Sequence, residues 1–148
     1  MIAIFLADGC EEIEALTVVD IVRRAGIDIK GVSIKISGSE ESKLIRGSHG
    51  IEFMADLCID ELDFAEVEMI VLPGGLPGTV NLENCDVLIE HIKKFNAEKK
   101  YLAAICAAPG ILGRLGMLKD REAVSYPSVE AELSAKHIPE KEVAVSDN

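Results

Sequence analysis

The decisive stretch is Tyr101-Leu102-Ala103-Ala104-Ile105-Cys106-Ala107-Ala108-Pro109-Gly110. Tyr101–Ile105 is a short apolar run without polar alternation, the pattern of a parallel strand buried on both faces. Small residues after Cys106 permit a sharp turn, and Pro109 suits the first turn of a helix, where its missing N–H costs nothing. The pattern predicts a helix from about Ala108 to Leu115, closed by Gly116. The same strand–turn–helix order recurs upstream. Ile2–Leu6 is a buried strand that ends at Asp8-Gly9, and a helix runs on to about Ala25, with Ala15, Val18, Val19 and Val22 at core spacing and Gly26 as its stop. Asp8 and Glu11 have the form of a capping box, and Glu11, Glu12 and Glu14 crowd the first turn. Met69–Leu72 is a third buried strand, stopped by Pro73-Gly74-Gly75-Leu76-Pro77-Gly78 and followed by a helix from about Glu83 to Asn96.

Between these units the spacing predicts a strand at Ile29–Ile36 and a hairpin of Leu44-Ile45 with Ile51–Met54. It also predicts a short helical connection at Ile59–Phe64 and further strands at Ala123–Tyr126 and Val143–Val145. Strands alternating with helices specify an α/β fold, an open and mostly parallel sheet with helices on both faces. Ligand sites in such sheets lie beyond the strands' C-terminal ends, here around Asp8–Glu14, Gly74-Gly75 and Cys106.

Composition narrows the function classes. The 148 residues suit one domain, and 49% hydrophobic content excludes a disordered polymer. No apolar run approaches the roughly 18 residues that span a bilayer, and Met1–Leu6 lacks a basic leader, so neither a membrane span nor a signal peptide is expected. Fifteen basic against 26 acidic residues leave a formal charge of −11, which repels a nucleic-acid backbone. No nucleic-acid or membrane partner is expected. The four cysteines form no CxxC pair and no His/Cys cluster, which favours a reduced, cytoplasmic protein.

Cys106 sits where a nucleophile elbow would present it, with cysteine replacing serine. A helix N-terminus is expected to favour the thiolate and lower its pKa, and adjacent amides can stabilise an oxyanion. The plainer alternative is a small buried hydrophobe. Cys58 and Cys85 read as structural. Cys10 lies on the same sheet edge and is a candidate second, resolving thiol. Glu14, beside the core-facing stripe of its helix, either faces solvent or turns inward to share a proton with sulfur, its pKa raised. Gly74-Gly75 lacks nucleotide-loop spacing and reads either as a close backbone approach to ligand or as a simple turn. His49, His91 and His137 are all remote from Cys106 in sequence, so no Cys-His dyad can be argued. No metal set is apparent.

Taken in order, Asp8-Gly9-Cys10-Glu11-Glu12-Ile13-Glu14, Leu72-Pro73-Gly74-Gly75 and Ala103-Ala104-Ile105-Cys106-Ala107-Ala108-Pro109 closely resemble the DJ-1/PfpI superfamily along essentially the whole chain. The resemblance implies a flavodoxin-like sandwich, similar to class I glutamine amidotransferases, and a homodimer. It implies Cys106 as the reactive residue, a protonated Glu14 bonded to it, and Gly75 and Ala107 amides, with Gly74 beside them, lining an oxyanion pocket. No cofactor is implied. Activities associated with the family are glyoxalase conversion of methylglyoxal, deglycation of proteins and nucleotides, chaperone action and oxidative-stress sensing. The expected substrate is therefore a small reactive carbonyl or a glycated group, and the alternative is a redox sensor or chaperone that oxidises Cys106 without turnover.

Departures matter. Tyr126 stands where some members have histidine, so a proton transfer by that histidine does not carry over. His49 falls near a family arginine that reaches the partner subunit's site. Ala107 replaces the histidine of the protease-like branch, which argues against a peptidase, and the late His-x-Glu pair of the amidotransferases is absent. Members also continue past the strand near Val143 with a strand, a loop and a long helix. Residues 1–148 are thus expected to form a single domain lacking the family's C-terminal strand and helix.

Overall fold

The computed structural model describes residues 1–136 and 140–148; His137 lies outside the described residues. Among the described residues, seven strands and four α-helices run in the order β1 (Ile2–Leu6), α1 (Glu12–Arg24), β2 (Ile29–Ser33), β3 (Leu44–Arg46), β4 (Glu52–Met54), β5 (Leu57–Cys58), β6 (Met69–Leu72), α2 (Gly78–Glu83), α3 (Asp86–Glu98), β7 (Tyr101–Ala104) and α4 (Pro109–Arg114). The main sheet has the order β5-β2-β1-β6-β7, and every pairing within it is parallel. β3 and β4 form a separate antiparallel hairpin, with Ile45 opposite Phe53.

The apolar strands alternate their side chains between two cores, as a period of two requires. Ile4, Leu6, Ile29 and Val71 pack on one face with Ala15 of α1 and Ile45 of the hairpin. Ala3, Phe5, Val32, Ile70 and Leu72 pack on the other with Leu88, Ile92 and Phe95 of α3 and Ile111 of α4. Each large side chain so buried stabilises the fold by about 1.5–3 kcal/mol. This is the expected flavodoxin-like layering, and it brings the turns after β1, β6 and β7 to one edge.

Several local expectations change. α1 is capped by Glu11, whose side chain accepts from the Glu14 amide at 2.7 Å, and not by Asp8. The Asp8 carboxylate is held elsewhere, by the Arg46 amide and the Lys35 ammonium. The helix expected from about Glu83 to Asn96 is α3, beginning at Asp86, and a separate short helix, α2, precedes it where only a loop was expected. β2 stops at Ser33, short of Ile36, and β5 is an edge strand that the two-residue pattern of Leu57-Cys58 was too short to signal. The connection at Ile59–Phe64 is a 3-10 turn, Ile59–Glu61, with a second at Phe64–Glu66.

Ala123–Tyr126 and Val143–Val145 form no strand of the sheet, which ends at β7. Val143 and Val145 are exposed; without a paired neighbour, apolar and β-branched residues do not make a ladder by propensity alone. No described helix is long and apolar enough to cross a membrane.

Candidate active site

Cys106 occupies the turn between β7 and α4 with φ 60°, the left-handed region that disfavours a residue bearing a Cβ. Such a conformation costs on the order of 1–3 kcal/mol and persists only where surrounding structure enforces it. The enforcing bonds are visible. The Ile105 amide donates to the Leu72 carbonyl at 3.1 Å, the Ala108 amide to Ile105 at 3.0 Å, and the Tyr126 amide to the Cys106 carbonyl at 2.7 Å. The elbow expected from the small residues is therefore present.

Three groups converge on the sulfur. The backbone N–H groups of Ala107 and Gly75 and the Glu14 side chain lie close enough to act on it. Glu14 Oε2 also accepts from the Gly74 amide at 2.7 Å, which pins the carboxyl group against the β6 loop. Its inward orientation settles the question that periodicity left open. Gly74 is required by close approach: a Cβ there would lie 2.6 Å from Glu14 Oε2 and 2.7 Å from the Cys106 Cβ. Gly75 has φ +92°, and a Cβ there would strike the backbone at Glu11 and Gly9. The Gly-Gly pair is thus a device for bringing β6 backbone against the thiol, and not a simple turn.

The electrostatics correct one expectation. Burial, together with the hydrogen bond and the charge of Glu14, pushes the Cys106 thiol above the usual cysteine range, outweighing the Ala107 and Gly75 amides that pull it down. The helix terminus does not win because α4 has only six residues and begins beyond Cys106, whereas desolvation and the carboxylate act on the sulfur directly.

Cys106 and Glu14 open onto a cavity of about 830 Å³ whose wall includes Ala103, Ile105, Val124 and Tyr126. Tyr126 is therefore at the site, with its backbone fastened to Cys106 and its side chain exposed.

Cys10 and His49 are placed differently. Cys10 is fully buried, and burial, with the Glu12 charge, raises its pKa to about 11. That environment argues against a resolving role, since exchange needs an accessible thiolate. Cys58 is buried as well, and all four cysteines are free. His49 makes its side-chain polar contacts with Glu12, Glu11 and Ser48 of its own chain.

Glu12 is what the sequence reading missed. Read as one more first-turn acid, it is only 2% exposed. Its carboxylate accepts from the His49 amide at 2.7 Å and pairs with His49 Nδ1 at 2.8 Å. No linear signal marks this, because the partner lies 37 residues away. Glu11, Glu12 and His49 are also the grouping of possible metal donors among the described residues, their atoms within 4.8 Å of one another. Glu11 is engaged as the helix cap and Glu12 as acceptor for His49, so the donor set is already satisfied by protons of the protein.

A protein from Arabidopsis thaliana called DJ-1 homolog A is 35% identical over 131 residues, spanning 88% of this chain and 32% of its own length. The chain thus spans about a third of that relative. An archaeal protein called deglycase, from Pyrococcus abyssi, is 31% identical over 133 residues, covering 89% of this chain and 75% of its own. The solved structure of oxidized Toxoplasma gondii DJ-1 superposes with a TM-score of 0.89 at 31% identity, over 99% of this chain and 77% of that one. The DJ-1/PfpI family model matches residues 1–148. With that match over a fold and an elbow of this kind, the chain belongs to the DJ-1/PfpI family.

Proposed function

We propose that the protein is a cysteine-dependent enzyme acting on reactive carbonyls, of glyoxalase or deglycase type. The observation that carries the reading is the convergence of Glu14 and the Ala107 and Gly75 amides on one strained, cavity-facing thiol. The deglycase named in Pyrococcus abyssi supports it from outside the chain.

With methylglyoxal, Cys106 Sγ attacks the aldehyde carbon while the thiol proton passes to Glu14. The carbonyl electron pair moves to oxygen, where the Ala107 and Gly75 N–H groups meet it, and Glu14 returns the proton to give a hemithioacetal. Glu14 then removes the hydrogen of the former aldehyde carbon as a proton, the C–H electron pair forming the C=C bond of an enediolate; the hydroxyl proton of the first carbon passes to the oxygen of the second, and Glu14 delivers its proton to that second carbon. The product is a lactoyl thioester. Water hydrolyses that ester, releasing lactate and restoring the thiol. A raised thiol pKa suits this sequence, since Glu14 supplies the base at the moment of attack. The test is methylglyoxal consumption and lactate formation by wild type and Cys106→Ser. Equal rates in both overturn the reading.

A second reading, a redox sensor in which peroxide oxidises Cys106 to sulfinate, is favoured by one observation: the Toxoplasma relative was solved in an oxidized form. Addition of two oxygens at Cys106 under mild peroxide, without carbonyl turnover, would select it.

The protein acts in this reading as a homodimer in a reducing compartment, the cytoplasm. Ile13, Leu16 and Ile21 stand exposed on α1 as an apolar contact face, and the cysteines are unpaired. Light scattering at micromolar concentration tests the dimer.

A further inference from the structure

We propose that Glu12 is a positioning residue for the Cys106 site, fastening the β3–β4 hairpin loop to the first turn of α1 so that the two loops around Cys106 are held as one frame. The proposal rests on the reading of Cys106 as the reactive thiol.

The frame can be traced bond by bond. The Glu12 carboxylate accepts from the His49 amide (2.7 Å), His49 Nδ1 (2.8 Å) and the Ser48 hydroxyl (3.3 Å). Gly47 lies so close that an added Cβ would overlap the Glu12 side chain. The hairpin loop is in turn tied to the β1–α1 loop: the Ser48 amide donates to Cys10 O at 2.9 Å, and the Gly9 amide to Arg46 O at 2.7 Å. That loop grips the β6 loop, since the Glu11 amide donates to Gly74 O at 2.9 Å and the Gly78 amide to Gly9 O at 3.1 Å. Gly74 then holds Glu14, and Gly75 presents its amide to Cys106. Three loops meet, and Glu12 is the buried charge at their outer junction.

A carboxylate this enclosed is tolerated because its acceptor positions are filled. The hydrogen bonds from His49 hold it at a pKa of about 2 despite burial. The same pairing, with a smaller contribution from Glu11, raises the pKa of His49 above 6.5. Among the described residues, the carboxylates within ion-pair reach of His49 are Glu12 at 2.8 Å and Glu11 at 3.8 Å. The Cys10 thiol faces Glu12 but, with its pKa near 11, stays protonated across the neutral range.

The sign of the linkage follows. The raised His49 pKa makes the charged form of the brace fully present below about 6.5 and weakens it as pH climbs through the folded value. The lowered Glu12 pKa preserves it until pH falls below about 4.5 toward 2.

Two readouts test the inference: the rate of Cys106 alkylation by iodoacetamide, followed at that residue by mass spectrometry, and the kcat and KM for methylglyoxal, both from pH 5 to 9. Glu12→Gln keeps the shape and removes the charge. It should lower the alkylation rate and kcat by about tenfold, leave KM within about twofold, and erase the inflection belonging to His49. His49→Gln, at an exposed side chain that does not endanger folding, should erase the same inflection with a smaller, roughly threefold loss. If both variants match wild type in rate and pH profile, or if KM alone changes, the inference is wrong. If wild type shows no carbonyl turnover but Glu12→Gln still alters alkylation, the proposed reaction fails and the positioning role stands.

Discussion

Two cysteines on the same edge of the sheet meet opposite fates. Cys106, in the turn after β7, is held at φ 60° with a glutamate and two amides against its sulfur and a cavity in front of it. Cys10, in the turn after β1, is fully enclosed among Ile4, Leu6 and Ala15. Both thiols have raised pKa values, and burial is the first cause in each. The difference is the partner. Cys106 has the Glu14 carboxyl group beside it; Cys10 has backbone contact at Ala7 and the repulsion of nearby Glu12 and Asp8. In the proposed reaction, the neighbouring carboxyl group and the opening, more than the thiol's own acidity, single out Cys106 over Cys10.

The contrast is broken most directly by removing each sulfur in turn. Cys106→Ser should lower kcat for methylglyoxal by at least about 10³-fold, while Cys10→Ala retains turnover. Comparable losses in both would make Cys10 part of the chemistry. Next in size is the base. Glu14→Gln should cost roughly 10²–10⁴-fold in kcat with the melting temperature nearly unchanged, since it removes proton transfer and keeps the shape.

Gly74→Ala probes the close approach around Cys106. A Cβ 2.7 Å from the Cys106 Cβ must displace the elbow or Glu14, so about 10²-fold in kcat and about 1–3 kcal/mol of stability should go together. Activity without a stability change would show that the loop adapts.

The smallest effect sharpens the Cys10 side. Its pKa rises from 9.0 to about 11 on folding, so the native state keeps a proton that the unfolded chain releases. Stability should then fall as pH rises from about 9 toward 11, on the order of 2 kcal/mol. Cys10→Ala should flatten that stretch of a urea-midpoint against pH curve.

The same contrast explains how far a linear reading reached. The strand–turn–helix punctuation around Cys106 was legible because all of its causes are local: an apolar run, small residues, then Pro109. The main strands, α1 and the hairpin were legible for the same reason. The short helix α2 ahead of α3 was not, since it starts at Gly78, the end of a Pro- and Gly-rich run that reads as a turn. Nor were the absent strands at Ala123–Tyr126 and Val143–Val145, whose propensity is real but whose pairing depends on neighbours far along the chain.

By itself, then, the sequence determined the layered α/β architecture, the edge where the loops after β1, β6 and β7 gather and the residue types available there, because periodicity and turn chemistry act over a few residues. Only the tertiary structure decided that Glu14 turns inward, that Cys10 is shut away, that the Cys106 thiol is raised and not lowered, and that Glu12 is a buried clamp. Each of those depends on burial and on partners tens of residues distant, such as Gly74 for Glu14 and His49 for Glu12. Desolvation and long-range hydrogen bonds exist only once the chain has closed on itself.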